Sequence, residues 1–315
     1  MKKINIILMV IVVFLMPAVL HAVGVGTTGA QFLKIEPSAR SLGMGGAYSA
    51  VADDSSAIFY NPAGIAHQKE RNFEGTYLQY FQAIDYGSLA GVIPAGNSSV
   101  GVGINYLGVP DIEKRGNDDV DDPDGTRVVN TFTAMDTALS LSYARQNAVP
   151  SVLEGLDLGG NLRFIYQTID DENAYSLMLD LGCYYPLSGK LALALNIQNI
   201  GLNVKFKEES DPLPLNFKVG AAYKPINNLT IACDINEYII DRLLYASVGS
   251  EYWILGVAAL RVGYKYGYDI DSLGSSLVGL AGGIGFRLYG IGLDYSYAPF
   301  GELGDTNRFT FLLKF

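Results

Sequence analysis

The sequence contains few positively charged residues and very few histidines and cysteines. It has 22 Lys and Arg against 32 Asp and Glu in 315 residues, which gives a formal net charge of −10. Affinity for nucleic acid depends on clustered Lys and Arg side chains, and the sequence has no such cluster, so nucleic acid is not an expected partner. The two His and two Cys residues do not have zinc-type spacing, so we expect no metal site and no cofactor.

The sequence also contains no pattern that points to a catalytic triad. His67 is the one histidine that follows residue 22, and nothing in the sequence points to a serine partner for it. A triad needs a base, a nucleophile and an orienting group within hydrogen-bond distance, so we expect no enzymatic activity. Cys183 and Cys233 share the apolar parity of two different predicted strands, and we interpret them as small hydrophobic residues rather than as a disulfide.

Long apolar runs are absent beyond the N-terminus. No run there approaches the roughly 20 apolar residues that a membrane helix needs, although 49% of the residues are hydrophobic and only 17% are charged. The apolar residues stand instead in short alternating runs, among 36 Gly and 21 Tyr. This composition is typical of short strands and tight turns.

Residues 1–22 have the pattern of a secretory signal peptide. Lys2 and Lys3 precede an apolar stretch over residues 4–15, and a short exit region ends at Ala22. The apolar stretch is too short to span a bilayer well and is typical of a signal-peptide core. We predict cleavage after Ala22 and export of the remaining chain.

From Asn72 onward, apolar and polar residues alternate in runs of about ten residues. Leu260 and Val262, for example, alternate with Arg261 and Gly263. Side chains of a strand point to opposite faces with a period of two, so each run has one apolar and one polar face. The predicted strands are residues 72–82, 84–93, 98–108, 133–146, 156–170, 174–186, 190–199, 214–224, 228–236, 243–253, 257–268, 277–288, 290–298 and 307–315.

Three features favour a membrane barrel over a soluble sandwich. The strand number is even, and long polar connections tend to alternate with tight turns. Aromatic residues gather near the strand ends, such as Tyr86, Tyr106, Tyr245 and Tyr266 at one end, where lipid meets water. The last strand ends at an aromatic residue, Phe315. We therefore predict an all-β fold, a closed antiparallel transmembrane β-barrel of about 14 strands, in the cell outer membrane with lipid against its apolar faces.

The polar parity of the strands carries small residues and charges of both signs. Mixed charges suit a lumen in contact with water or a plug better than a ring that selects ions of one sign. We expect these charges to be solvated and paired inside the lumen. The predicted lumen charges are Arg163, Asp180, Lys218, Asp234, Arg261, Lys265, Arg287 and Asp294.

Residues 23–71 do not alternate, and we predict that they form a compact N-terminal helical plug, or hatch. Asp54-Ser55-Ser56 provides good N-cap residues for a short helix that runs through Tyr60. Asn61 should end this helix, because a residue that precedes proline leaves the helical region. The predicted organisation is a signal peptide at residues 1–22, a hatch at 23–71 and a barrel at 72–315.

The hatch region resembles that of the FadL-like outer-membrane family, and most closely its PorV/PorQ branch. The resemblance rests on three blocks at family-like spacing, and it implies a fourteen-stranded barrel with this region inside, in agreement with the strand count. The glycines of the first block allow close backbone approach. The matching residues include Gly43, Met44, Gly45, Gly46, Asp53, Asp54, Asn61, Pro62 and Gly64.

Two functions are implied by this resemblance. PorV/PorQ-like members are accessory to type IX protein secretion and contact secreted proteins or secretion machinery, and we expect this function because the chain is short for the fatty-acid branch. FadL-like members are channels for hydrophobic small molecules such as fatty acids and hydrocarbons. A channel predicts a lateral gap or kink in the wall, for which the glycine-rich residues 279–285 are the candidate. A mainly structural barrel is the third possibility.

The longest predicted loop, residues 109–131, is strongly acidic. Clustered carboxylates can bind calcium, but Pro123 falls where an EF-type loop that starts at Asp119 needs its third ligand. We interpret the segment as a solvated acidic loop, with contact to a partner as a further possibility.

Overall fold

The computed structural model of the protein describes residues 26–79, 84–115 and 128–315. The predicted signal peptide, residues 1–22, lies outside these ranges. The strands are β1 (Asn72–Gln79), β2 (Asp85–Ala95), β3 (Ser98–Arg115), β4 (Val128–Arg145), β5 (Asp157–Ile169), β6 (Glu172–Pro186), β7 (Leu191–Gly201), β8 (Val204–Phe206), β9 (Glu209–Asp211), β10 (Asn216–Ile226), β11 (Leu229–Tyr238), β12 (Leu243–Ile254), β13 (Ala258–Tyr266), β14 (Leu280–Leu288), β15 (Ile291–Pro299) and β16 (Asp305–Lys314).

Fourteen of these strands form one closed antiparallel barrel, which confirms the predicted architecture. β1 closes the ring by pairing with both β2 and β16, so that Gly75 lies opposite Leu89 and Phe311. β8 and β9 form a separate hairpin, while β7 and β10 pair directly with each other. A closed ring leaves no unpaired strand edge, which is the condition for a sheet to exist in lipid. In the described ranges no helix has the length and apolar character to cross a membrane.

The two ends of the barrel differ in their connections. At one end, here called the closure end, the backbone N–H of Arg71 donates to the carbonyl of Phe315 at 3.1 Å. Several turns at this end are short, such as residues 227–228 between β10 and β11. The opposite end, here called the loop end, carries the β8–β9 hairpin and residues 267–279 with helix α3 (Ile270–Leu273). Residues 146–156 at the closure end and residues 170–171 at the loop end depart from this asymmetry.

The outer face of the wall is apolar, as the period-two pattern predicts. On β13, Leu260 and Val262 are 52% and 55% exposed, whereas Arg261 between them is 5% exposed. Cys183 and Cys233 are free thiols on the outward parity of β6 and β11. Outward apolar side chains of this kind provide the surface that bilayer lipid covers.

Tyrosines near the strand ends divide between the two faces of the wall. Tyr106 and Tyr266 stand on the outward face and are 41% and 67% exposed, as a lipid–water girdle requires. Tyr86 and Tyr245 were expected in the same girdle but lie on the inward parity of β2 and β12. Tyr86 is buried, and its hydroxyl accepts a hydrogen bond from Asn105 Nδ2 at 3.0 Å. For these two rings the strand parity determines the face of the wall, and it outweighs the preference of tyrosine for the lipid–water interface.

Residues 279–285, the candidate for a kink under the channel alternative, contain no β-bulge in the paired part of the strand. β14 pairs with β13 and β15 in continuous register through Gly282 and Gly283. The small size of Gly283 has a different use, because a Cβ at this position would lie 3.3 Å from Gly43 Cα in the N-terminal region. Glycine serves close packing here rather than a bend in the wall.

The predicted acidic loop is shorter than the sequence suggested. β3 extends to Arg115 and β4 starts at Val128, so that Glu113 pairs with Thr131 and Lys114 with Asn130. Backbone pairing does not depend on side-chain charge, and the acidic composition therefore concealed two strand extensions. Most of the aspartates lie in residues 116–127, outside the described ranges.

Short helices dominate the described part of the N-terminal region. Helix α1 begins after Ser38, whose side chain accepts a hydrogen bond from Arg40 N. Helix α2 ends at Tyr60 and Asn61 is extended, as predicted, but Ser56 makes no side-chain capping bond. The helices are η1 (Gln31–Lys34), α1 (Ala39–Gly43), α2 (Ala57–Tyr60) and η2 (Pro62–His67), with η3 (Gly301–Leu303) near the C-terminus.

Candidate functional site

Inward-facing side chains of the barrel hold a stretch of the N-terminal region, residues 38–67, here called the buried segment. Thr310 on β16 accepts a hydrogen bond from Ala39 N at 3.0 Å. Asn161 on β5, well separated from β16 in the ring, donates to Ile58 O at 2.7 Å. Contacts from distant strands fix the segment relative to the whole ring, so the candidate site comprises this segment and the faces that it contacts.

The first motif block packs backbone to backbone against glycines of the wall. A Cβ on Gly249 would lie 2.2 Å from Met44 O, and a Cβ on Gly263 would lie 2.1 Å from Met44 C. These contacts involve backbone, which cannot move aside like the end of a side chain. Gly45 and Gly46 also have positive φ values of 64° and 81°, a conformation that favours glycine. Both sides of this contact therefore require glycine.

Asn61 connects the buried segment to β6. Its Nδ2 donates to Ser49 O at 3.0 Å and to Cys183 O at 3.1 Å, while its Oδ1 accepts from Ala63 N at 3.1 Å. Pro62 follows as the first residue of η2, where the missing N–H has no cost. The Asn-Pro pair thus starts the next helix and supplies two donors that a buried backbone needs.

The last motif block also needs small neighbours. A Cβ on Gly159 of β5 would lie 2.4 Å from Pro62 C, and a Cβ on Gly64 would lie 2.1 Å from Ala52 O. The first motif block therefore contacts the wall at β12–β14, and the last motif block contacts it at β5–β6.

Arg40 is the centre of an ionic cluster. Its Nε and Nη2 donate to the two carboxylate oxygens of Glu251 on β12, each at 2.8 Å. Its Nη1 donates to Asp53 at 2.6 Å, to Asp54 at 3.0 Å and to the Tyr48 hydroxyl at 3.2 Å. The bidentate geometry suits Arg, since the guanidinium group forms two parallel bonds to a carboxylate. Two aspartates of the motif are thereby connected to the wall through one arginine.

The cluster continues along the wall towards β15. Arg261 Nε donates to Glu251 at 2.7 Å and Arg261 Nη1 donates to Asp294 at 2.7 Å. Arg287 Nη1 donates to Asp294 at 3.0 Å. The guanidinium groups of Arg261 and Arg287 lie 5.7 and 5.8 Å from the ring centre of Trp253. The predicted lumen charges Arg261, Arg287 and Asp294 are thus paired, together with Glu251. The fluorescence of Trp253 should respond to changes in this cluster.

Asp234 on β11 binds the turn that follows the glycine block. Its Oδ2 accepts from Tyr48 N at 3.1 Å, from Ser49 N at 2.9 Å and from Ser49 Oγ at 2.6 Å. Lys218 lies with its Nζ 5.7 Å from the ring centre of Tyr60. Both predicted charges therefore face the buried segment.

Arg163 and Asp180 form a pair within the wall. Arg163 Nη1 lies 3.3 Å from Asp180 Oδ2, and Asp180 Oδ1 accepts from Asn199 N at 2.8 Å. Asn161 also donates to Asp180 at 3.0 Å. These side chains are buried and connect β5, β6 and β7 across their inner face.

Glu36 contacts the barrel nearer the loop end. Its Oε1 accepts from Lys265 Nζ at 3.3 Å. Burial alone raises the pKa of Glu36, but the positive charges of Lys265, Lys218 and Arg308 outweigh burial and lower that pKa to about 2. Glu36 is therefore ionised at any ordinary pH and holds its part of the chain electrostatically.

Three residues of this network were missed by the sequence prediction. Glu251 occupies the polar parity of a predicted strand, so the period-two pattern could have identified it. Arg40 and Glu36 lie in a region without periodicity, where no local signal distinguishes a buried charge from a solvated one.

One cavity between the buried segment and the wall lies in the loop-end half of the described residues. It has a volume of about 30 Å³ and is lined by residues such as Glu36, Tyr60 and Lys218. This volume suits one or two waters rather than a fatty acid. A cavity of about 670 Å³ opens instead at the closure end. Among the residues that the structure describes, no group of three or more His, Cys, Asp or Glu is placed to hold a metal ion.

Comparison with known proteins gives one family and several related folds. The family model described as type IX secretion system protein PorV matches residues 21–245. No curated protein matches the sequence. A crystal structure of the Pseudomonas putida toluene transporter TodX is 11% identical with a TM-score of 0.63, covering 94% of this chain and 99% of that chain. A Pseudomonas aeruginosa FadL homologue is 11% identical with a TM-score of 0.55, covering 88% and 97%. At these identities the likeness extends to the fold.

Proposed function

Because this chain belongs to the family of the type IX secretion system protein PorV, we propose that it is an outer-membrane accessory of protein export. In this function it binds secreted proteins or secretion machinery instead of conducting a solute. Export accessories and transporters share the fold of an outer-membrane barrel. The barrel interior is therefore the feature that distinguishes the two functions.

The contacts of the buried segment with the wall are the observation that supports the proposal. Residues 38–67 are held by Thr310, Asn161, Asp234 and Glu251, from four strands around the ring. Ionic pairs as buried as Arg40–Glu251 are costly to separate, since each exposed partner would remain unpaired inside the protein. A plug that is fixed in this way suits a rigid docking platform better than a gate that opens in each transport cycle.

We further propose that residues 23–71 act as a plug and that the closure end faces the periplasm. Short periplasmic turns and longer outer connections are the usual asymmetry of these barrels. The loop end would then present the β8–β9 hairpin and helix α3 to partners at the cell surface.

Cross-linked capture from the native bacterium tests the proposal. Cells are cross-linked, solubilised in detergent and treated with an antibody against the purified protein, with an unrelated barrel of the same membrane as the control. We expect enrichment of secreted proteins or type IX components. Deletion of the gene should also reduce export of type IX cargo. Unchanged export in the deletion strain, together with no enriched protein, would contradict the proposal and favour a mainly structural barrel.

A FadL-like channel is the second candidate, and one feature of the wall favours it. Two residues of β7, Gln198 and Asn199, lie opposite the single residue Asp180 of β6, so the strand pairing contains a β-bulge. Asn199 has a positive φ of 63°. Bulges redirect a strand and are frequent beside functional sites. If this bulge provides a lateral exit, the deletion strain should lose uptake of a labelled fatty acid or hydrocarbon while protein export stays intact.

A further inference from the structure

The cavity at the closure end has a rim of lysines. Its volume is about 670 Å³, and it is bounded by residues 50–53 and 67–70 and by the ends of β6, β7, β10 and β16. We call it the basic bowl. Its rim includes Lys69, Lys190, Lys224 and Lys314.

None of these four lysines has a carboxylate partner within the described residues. Lys69, Lys224 and Lys314 form no ion pair there, while Lys190 Nζ donates to the carbonyl of Pro225 at 2.9 Å. The acidic residue Asp53 also lines the bowl, but Arg40 already binds it at 2.6 Å. Glu70 is the remaining acid in the lining. The bowl is therefore positive, although the whole chain has a formal net charge of −10.

The lysines belong to the lumen mouth rather than to the lipid belt. Lys224 follows Ala222 on the inward parity of β10, and Lys314 follows Leu312 on the inward parity of β16. Ala222 and Leu312 are buried. An ammonium group on this parity faces the barrel axis and the water beyond it. Headgroups of the surrounding bilayer contact the opposite parity.

The floor of the bowl is apolar and the size suits an organic ligand. Ala50, Val51 and Ala52 of the buried segment form part of the lining, together with Ala192 and Ala222 of the wall. Binding sites for ligands are commonly about 300–1,000 Å³, so the bowl exceeds what an inorganic anion fills. A concave site of one charge sign concentrates ligands of the opposite sign.

We infer that the basic bowl binds an extended acidic segment of a partner protein, with carboxylates towards the rim lysines and apolar side chains against the floor. An acidic peptide supplies several carboxylates for several separate lysines, and its alternate side chains can contact the alanines. This inference does not depend on the proposed function, since a closure-end partner is compatible with an export accessory and with a channel.

Fluorescence anisotropy of the full chain in detergent tests the inference. The probe is a short synthetic peptide in which Asp alternates with Leu, labelled with a neutral fluorophore. We expect the wild-type protein to bind this peptide and not to bind the same peptide with Asn in place of Asp. The triple variant Lys69→Gln, Lys224→Gln, Lys314→Gln should bind about tenfold or more weakly.

The matched control removes two lysines at the opposite end of the barrel. Lys205→Gln with Lys207→Gln changes exposed residues at the loop end, and this variant should bind like the wild type. Equal loss in both variants would indicate non-specific attraction and overturn the inference, as would absence of binding to the wild type. Displacement of the peptide by phosphatidylglycerol micelles, but not by unlabelled peptide, would assign the bowl to lipid headgroups and also overturn it. Heat-modifiable migration in gels verifies that each variant is folded.

Discussion

At the scale of single residues, glycine has two different uses in the wall. Gly263 points inward, where its missing side chain makes room for Met44 and Gly45. Gly282 on the neighbouring strand points outward, where the nearest atom to an added Cβ would be Arg261 O at 3.8 Å. The residue type is the same, but the direction of the missing Cβ decides whether a side chain can be added.

Replacement of these two glycines by valine should therefore have different effects. For Gly263→Val we expect a loss of stability at or above the upper end of the roughly 1–3 kcal/mol typical of overpacking, because the clash is with backbone. Gly282→Val should change the free energy of unfolding little. Urea unfolding in detergent micelles, followed by the fluorescence of Trp253, measures the free energy of unfolding of each variant. Equal stability of the two variants would contradict the backbone contact at Gly263.

Ionic contacts at the residue scale are concentrated on the buried segment. Arg40 joins residues of its own region, Asp53 and Asp54, to Glu251, which is 211 positions away in sequence. Removing one partner leaves the others buried without compensation. The motif aspartates therefore have a structural use that does not require a ligand.

At the scale of elements, the N-terminal region is anchored at several separate places. Thr28 Oγ1 donates to Asp241, in the connection between β11 and β12, at 3.1 Å. Glu36 accepts from Lys265 on β13, and Asn61 donates to Cys183 on β6. Short helices with few internal hydrogen bonds are marginal by themselves, so these anchors supply the order that the helices cannot.

Acid should weaken the anchor between η1 and α1. The pKa of Glu36 is about 2 in the folded chain against an ordinary value of 4.5. A lowered carboxyl pKa contributes stability that is complete above the unfolded pKa and is lost as the pH falls through the folded pKa. We expect Glu36→Gln to cost about 3 kcal/mol at neutral pH.

The pH dependence of this difference provides the check. Unfolding curves of wild type and Glu36→Gln, recorded through Trp253 fluorescence, should differ by a constant amount above pH 4.5 and converge as the pH approaches about 2. A difference that does not change over this range would contradict an ionised Glu36 in the folded state.

At the scale of the whole molecule, the wall and the filling are separate layers. The wall consists of fourteen paired strands with an apolar outside. The filling that we propose is the buried segment, which contacts the inner face of the wall through glycine contacts and ion pairs. A barrel of this strand number would otherwise enclose an open lumen.

A liposome-swelling assay tests this arrangement. The wild-type protein should give no swelling in isotonic sugar, because the buried segment is bonded to β5, β11, β12 and β16 across the lumen. Deletion of residues 38–67 should give rapid swelling, provided that circular dichroism and heat-modifiable migration show a folded barrel. Rapid swelling with the wild type would argue against a filled interior and against the proposed docking function.

The candidate site could be predicted from the sequence only in part. The three motif blocks identified the buried segment, and strand parity selected Asp234, Arg261 and Asp294 as inward charges. Glu36 and Arg40 were not predicted to be buried. Their region has no period-two pattern, so the neighbouring residues do not indicate which side chains point inward. Tyr86 and Tyr245 were assigned to the lipid interface by residue type, and strand parity placed them inside.

The sequence by itself determined the wall. Alternation with a period of two is a local property, and any closed sheet that buries one parity must put Leu260 outside and Arg261 inside. The fourteen wall strands could be read without knowledge of distant contacts, whereas the outer ends of β3 and β4 and the β8–β9 hairpin could not.

The tertiary structure alone decided which charges meet and where space remains. Glu251 finds Arg40, and Gly263 finds Met44, only after closure of the ring brings distant positions together. The same closure collects lysines from four separate parts of the chain into the basic bowl. Such juxtapositions depend on strand register and ring curvature, which no stretch of sequence contains by itself.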